Sequence, residues 1–126
     1  MEKDLGNLFK LDGKVIVITG AAGLLGSKHA QAIAASGGIP ILLDLNKNAV
    51  EKLASKIEEK FQLNSLAFEI DITNETAVKN NADELVERYG KIDGLVNNAA
   101  QNPKVEENNE NNFSRLENFP LDAWME

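Results

Sequence analysis

Glycine stands at positions 20, 23 and 26, directly after the β-branched run Val15-Ile16-Val17-Ile18-Thr19. Glycine allows a tight turn, a close backbone approach to a pyrophosphate, and close packing of a helix on a strand. The apolar run reads as a buried strand. The residues after the turn repeat at helical spacing. A helix that opens on such a turn offers unpaired N–H groups and a partial positive charge to a phosphate. Strand, glycine turn and helix in this order form a dinucleotide-binding fingerprint. A glycine triplet alone is a weak signal, because many α/β turns carry glycine for geometry only. A second group strengthens this one. The next apolar run, residues 39–43, leads into Asp44, 24 positions after Gly20. A carboxylate there can accept hydrogen bonds from a ribose diol.

These groups need elements to hold them, and the chain alternates by period. Residues 26–36 carry Ala30, Ile33 and Ala34 on one helical face and stop at Gly37-Gly38. Asn46 can cap the next helix, where Val50, Leu53, Ala54, Ile57 and Phe61 form one apolar stripe. Residues 65–70 read as a strand. Thr73 or Asn74 caps a third helix, with the stripe Val78, Ala82, Leu85, Val86 and Tyr89. Residues 92–96 read as a fourth strand. Such alternation predicts an α/β fold. The expected architecture is a doubly wound parallel sheet (Rossmann-type) with right-handed crossovers, truncated after about four strands.

The chain has 126 residues, enough for one domain with a real core, and residues 1–126 read as a single unit. Its net charge of −7 argues against nucleic acid and acidic membrane surfaces as partners. It has no cysteine, which excludes disulfides and thiolate metal sites and is compatible with the cytoplasm. Residues 1–14 are too charged for a secretory signal, and no apolar run is long enough to cross a bilayer. Residues 101–118 are polar and of low complexity, and read as a solvated loop. A lid or substrate loop is the sharper alternative, since the segment leaves the carboxyl end of a strand. Pro120 suits the first position of a further helix.

Taken together, the motifs resemble the amino-terminal half of a short-chain dehydrogenase/reductase. The matching pieces are Asp12-Gly13-Lys14, Thr19-Gly20 through Gly26, Asp44, Asp71-Ile72 and Asn97-Asn98-Ala99-Ala100. They follow the family's order and spacing over almost the whole chain. Two positions depart from it. The family's middle glycine usually falls one place later, where this chain has Leu24, and Ala100 replaces the glycine of Asn-Asn-Ala-Gly. The turn spacing is closer to that of the family's sugar-nucleotide-modifying members, so a sugar or polysaccharide-precursor substrate is compatible.

The resemblance implies a role for each position. Gly20, Ala22, Gly23, Leu25 and Gly26 would line the pyrophosphate turn. For Gly26, close helix packing is an equal reason for glycine. Asp44 would hold the adenosine ribose, with Leu45 beside the adenine. Asp71 would accept from the adenine amino group and Ile72 would flank the ring, although Asp71 also suits a turn before a helix. Asn98, Ala99 and Ala100 would pass under the cofactor, while Asn97 would tie the sheet together. Asp44 with Leu45, and no Arg or Lys in the turn, implies NAD rather than NADP.

The family's chemistry comes from a serine, a tyrosine and a lysine four residues after the tyrosine. Here the one tyrosine, Tyr89, has Asp93 at that spacing and sits in a helical stripe, so it reads as core. His29 reads as a packed helix residue, with no second ligand to suggest a metal. Ser65 and Ser114 lack a partner base in sequence context. No catalytic residue is named, and the carboxyl-terminal catalytic half is expected to be absent. The chain therefore reads as the NAD-binding half of an oxidoreductase, inactive alone. A non-catalytic dinucleotide-binding module is the alternative. A methyltransferase fits less well, because Thr19-Gly20 replaces the acidic strand end, and no Gly-Lys-Ser/Thr closes a P-loop. The fourth strand would lack a neighbour, which predicts self-association through an exposed sheet edge.

Overall fold

Five residues, Val15–Thr19, form strand β1, because β-branched side chains suit a pleated surface covered on both faces. The computed structural model describes residues 5–100. A single helical turn, α1 (Leu5–Leu8), precedes β1. Then follow α2 (Leu24–Ala35), β2 (Ile39–Asp44), α3 (Lys47–Phe61), β3 (Leu66–Glu69), α4 (Glu75–Tyr89) and β4 (Gly94–Val96). The strands are parallel and lie in the order β3-β2-β1-β4. Val17 pairs with Ile41 on one side and Leu95 on the other.

The period-2 alternation of strands sorts the core into two layers. Ile18 and Leu42 face α2 and α3, where Ala30, Ala34, Val50, Ala54 and Ile57 bury against them. Val15, Val17, Ile41 and Leu43 face the other way and bury with Leu85 of α4. The chain moves outward from β1 to β2 to β3, then returns through α4 to place β4 on the far side of β1. The strand order thus reverses between β1 and β4. That is the switch point at which open α/β sheets bind ligands.

Local chemistry sets the helix ends. Asn46 and Asn74 accept from Ala49 N and Ala77 N, each at 3.0 Å. Asn74 rather than Thr73 is thus the cap of α4. Gly90, at φ +77°, ends that helix in the left-handed conformation. At the start of β4, Asp93 Oδ2 accepts from Val15 N at 2.8 Å and from Lys91 Nζ at 2.9 Å, while Asp93 N donates to Val15 O. The Val15 N–H first, and then the Lys91 ammonium, hold the Asp93 carboxyl below its ordinary range.

Two expectations about side chains change. His29 is exposed, not packed. The buried face of α2 runs through Gly26, Ala30 and Ala34, and His29 lies about 100° around the helix from Ala30. On α4 the buried positions are Asn81 and Leu85, whereas Val86 is 49 % exposed. The face turned to the sheet repeats every four residues through Ala77, Asn81 and Leu85, and among the described residues nothing covers Val78 and Val86. Tyr89 packs against the core as expected. The amide nitrogen of the buried Asn81 finds no hydrogen-bond partner among the described residues. The polar stretch 101–118, Ser114 and the helix expected at Pro120 lie outside the described residues.

Candidate dinucleotide site

The carboxyl ends of β1, β2 and β4 meet at the glycine turn. Gly20 has φ +61°, and a Cβ there would sit 2.9 Å from Ala99 Cα. Gly26 is tighter. A Cβ would strike Gly20 O, and would lie 2.8 Å from Ala21 Cα and 2.9 Å from Asn98 Nδ2. Both glycines are therefore demanded by the fold itself. Gly23 differs, since its φ is −72° and the nearest atom to an added Cβ is Gly20 O at 3.3 Å.

A small hydrogen-bonded knot fixes the floor under the turn. Thr19 Oγ1 accepts from Asn98 N at 3.1 Å and Ala99 N at 3.0 Å. Asn98 Nδ2 donates to Thr19 O at 3.2 Å and Gly20 O at 3.1 Å. The sheet-tying asparagine is thus Asn98, and Asn97, expected in that role, is exposed. The reason is alternation. Val96 pairs with Ile18, and two residues further on Asn98 turns toward β1. Thr19 was not singled out from sequence, although a hydroxyl ending an apolar run was its signal.

Asp44 lies beside the turn. Its Oδ2 accepts from Ala22 N at 3.0 Å and its Oδ1 from Asn46 N at 2.9 Å. Asp71 opens the turn into α4, with Oδ1 accepting from both Thr73 Oγ1 (2.7 Å) and Thr73 N (2.9 Å). The hydroxyl bond first, and then the backbone bond, draw its carboxyl below the ordinary value. Leu45 is 69 % exposed at the mouth of β2, and Ile72 is 46 % exposed after β3. Ala22 and Ala99 are half-buried, and Leu25 and Ala100 are exposed.

The start of α2 differs from those of α3 and α4. Its N-cap is Gly23, and no side chain caps it. The N–H groups of Leu24, Leu25 and Gly26 have no carbonyl within the helix to bond. Open donors, a positive helix end, a fixed carboxylate and two exposed apolar side chains thus gather at one sheet edge. This donor set fits a dinucleotide. Among the described residues no group of histidine or carboxylate side chains could hold a metal ion. A groove of about 480 Å³ between α2 and α3, lined by Leu53, Lys56, Ile57 and Phe61, shares no residue with this edge.

Fold and site define an α/β protein with a Rossmann-type dinucleotide-binding sheet. The family model for short chain dehydrogenase matches residues 14–125, and the chain belongs to that family. It is 38% identical over 90 residues to meso-2,3-butanediol dehydrogenase of Serratia marcescens, covering 71% of this chain and 35% of that one. Its fold is similar to NAD+-bound xylitol dehydrogenase, with TM-score 0.66 and 36% identity over 73% of this chain and 35% of that one. A metagenomic short-chain oxidoreductase in complex with NADP shares the fold, with TM-score 0.69 and 24% identity over 72% and 41% of the two chains. The chain spans about a third of the length of the curated relatives it matches. The matched family model is a dehydrogenase model, not a methyltransferase one. Among the described residues no helix is long and apolar enough to cross a membrane.

Proposed function

We propose that this chain is the NAD-binding half of an oxidoreductase that moves a hydride between NAD(H) and an alcohol or carbonyl substrate. The carrying observation is the Asp44 carboxylate, fixed at the end of β2 by two backbone N–H groups. The bound cofactor would supply or accept the hydride. The donors at Leu24, Leu25 and Gly26 would face its pyrophosphate, with Gly20, Ala22 and Gly23 forming the turn. Asp44 would accept from the adenosine ribose. Leu45 and Ile72 would flank the adenine, and Asp71 would accept from its amino group. Asn98, Ala99 and Ala100 would pass beneath. A sugar or polysaccharide precursor is a substrate class compatible with the turn spacing. A cytoplasmic setting is part of this proposal, and the cysteine-free composition is compatible with it.

NAD binds more tightly than NADP under this proposal. A 2′-phosphate would lie against the Asp44 carboxylate, Leu45 is not basic, and residues 20–26 contain no Arg or Lys. Titration calorimetry on the whole chain should give a preference of about tenfold or more, equal to ~1.4 kcal/mol. Tighter binding of NADP would overturn the assignment. The same protein should bind NAD without turning over any alcohol or carbonyl. A positioned acid or base contributes about 10²–10⁴-fold, and the one tyrosine, Tyr89, has Asp93 rather than a lysine four residues on. Turnover by purified protein, abolished by a substitution within those residues, would refute this.

The β4 edge supports a second proposal, self-association. Leu95 is 58 % exposed there, and among the described residues no strand pairs with the outer side of β4. Unpaired strand edges recruit other chains. Light scattering should show mass rising with concentration. A constant monomer mass, with the amides of residues 94–96 strongly protected from exchange, is the contrary result.

A further inference from the structure

We propose that Asp44 is also a positioning residue: it holds the glycine turn in its binding shape, independently of any ribose. This rests on the dinucleotide reading above. Four bonds donated by backbone N–H groups converge on the end of β2, two of them from the turn. Ala22 N donates to Asp44 Oδ2 at 3.0 Å, and Ala21 N to Leu43 O at 3.1 Å. Asn46 N donates to Asp44 Oδ1 at 2.9 Å, and Ile70 N to Asp44 O at 3.0 Å. Asp44 thus joins the turn after β1, the cap of α3 and the end of β3.

The Asn98 amide holds the turn at Gly20 O, and Leu43 O and burial hold it at Ala21, but none of these contacts reaches Ala22. Ala21, Ala22 and Gly23 carry no polar side chain. The remaining bond inside it, from Gly23 N to Gly20 O at 3.2 Å, leaves Ala22 unsupported. A half-buried N–H that loses a charged acceptor costs more than a neutral hydrogen bond. Each carboxylate oxygen has two lone pairs, so Asp44 can accept from Ala22 and Asn46 and still receive ribose hydroxyls. If the turn samples other shapes, apparent affinity falls by the fraction of molecules still in the binding shape.

The consequence is specific. Removing Asp44 should weaken ligands that use the turn but have no ribose hydroxyls. The probes are ADP and 2′,3′-dideoxyADP, titrated by NMR against the whole chain and its Asp44→Ala and Asp44→Asn variants. The dideoxy nucleotide keeps the diphosphate and the base but offers Asp44 no hydroxyl. Asp44→Ala should weaken the dideoxy nucleotide by about tenfold. It should also speed hydrogen exchange at the Ala22 amide by at least about tenfold, with core amides of β2 unchanged as the control for folding. Asp44→Asn keeps one acceptor oxygen and should fall between the two. It also carries the test if Asp44→Ala does not fold.

Unchanged dideoxyADP affinity with unchanged Ala22 exchange would overturn the proposal and leave Asp44 a ribose ligand only. Failure of the unsubstituted chain to bind ADP would instead sink the dinucleotide reading. The Ala22 exchange rate would then still decide whether Asp44 holds the turn.

Discussion

Gly26→Ala is expected to destabilise the protein by about 3 kcal/mol or more, at the upper end of overpacking costs. The added methyl meets Gly20 O, Ala21 Cα and the Asn98 amide at once. Two of these are backbone atoms of the turn and cannot rotate away. A domain of this size is stable by about 5–15 kcal/mol, so the loss is a large share. Gly23→Ala is the informative contrast. Its backbone already suits alanine, and the nearest atom is 3.3 Å away. It should change stability by less than about 1 kcal/mol. Its NAD affinity should nevertheless fall, because a methyl group would stand where the proposed site receives the pyrophosphate. Chemical denaturation measures the first effect and calorimetry the second. Equal stability losses in the two variants would show that the turn does not have the tight geometry described.

Thr19→Val should cost about 1–3 kcal/mol, although the two side chains have nearly the same shape. The hydroxyl oxygen accepts from both Asn98 N and Ala99 N, and Thr19 is buried. Valine leaves Ala99 N without an acceptor and Asn98 N with only Val96 O at 3.0 Å, and a buried unsatisfied group costs about 1–3 kcal/mol. Thr19→Ser keeps the oxygen and should recover most of the loss. Denaturant midpoints of the three proteins test this. A valine variant as stable as the unsubstituted protein would mean that water satisfies those donors.

The order of strand, glycine turn, helix and acidic strand end was legible because each piece is local. Spacing alone places Gly20, Gly26 and Asp44, and the structure brings them to one edge. The Asn46 cap was readable for the same reason. What was not legible depends on which way a residue faces after long-range pairing. Whether Asn97 or Asn98 ties the sheet is decided by the pairing of Val96 with Ile18, on a strand far away in sequence. His29 looked like a packing residue because its neighbours Ala30 and Ile33 pack. The stripe on α4 was read as Val78, Ala82, Leu85, Val86 and Tyr89, while the sheet selects Ala77, Asn81 and Leu85. A polar Asn81 in that row carries no periodic signal. The resemblance to short-chain dehydrogenases supplied the family, which residues 14–125 match. It left the substrate open.

The two neighbours of β1 reach it from very different distances along the chain. Val15 pairs with Ile39, 24 positions away, whereas Val15 and Asp93 meet across 78. Closing the longer loop costs about 1 kcal/mol more in chain entropy, by the logarithmic scaling of loop closure. The β1-α2-β2-α3-β3 portion can therefore assemble first, with β4 arriving last. During synthesis the glycine turn leaves the ribosome well before Asn98 exists to hold it. Among the described residues the binding edge is then the final part to mature, and a ligand that prefers the finished edge would draw late folding forward.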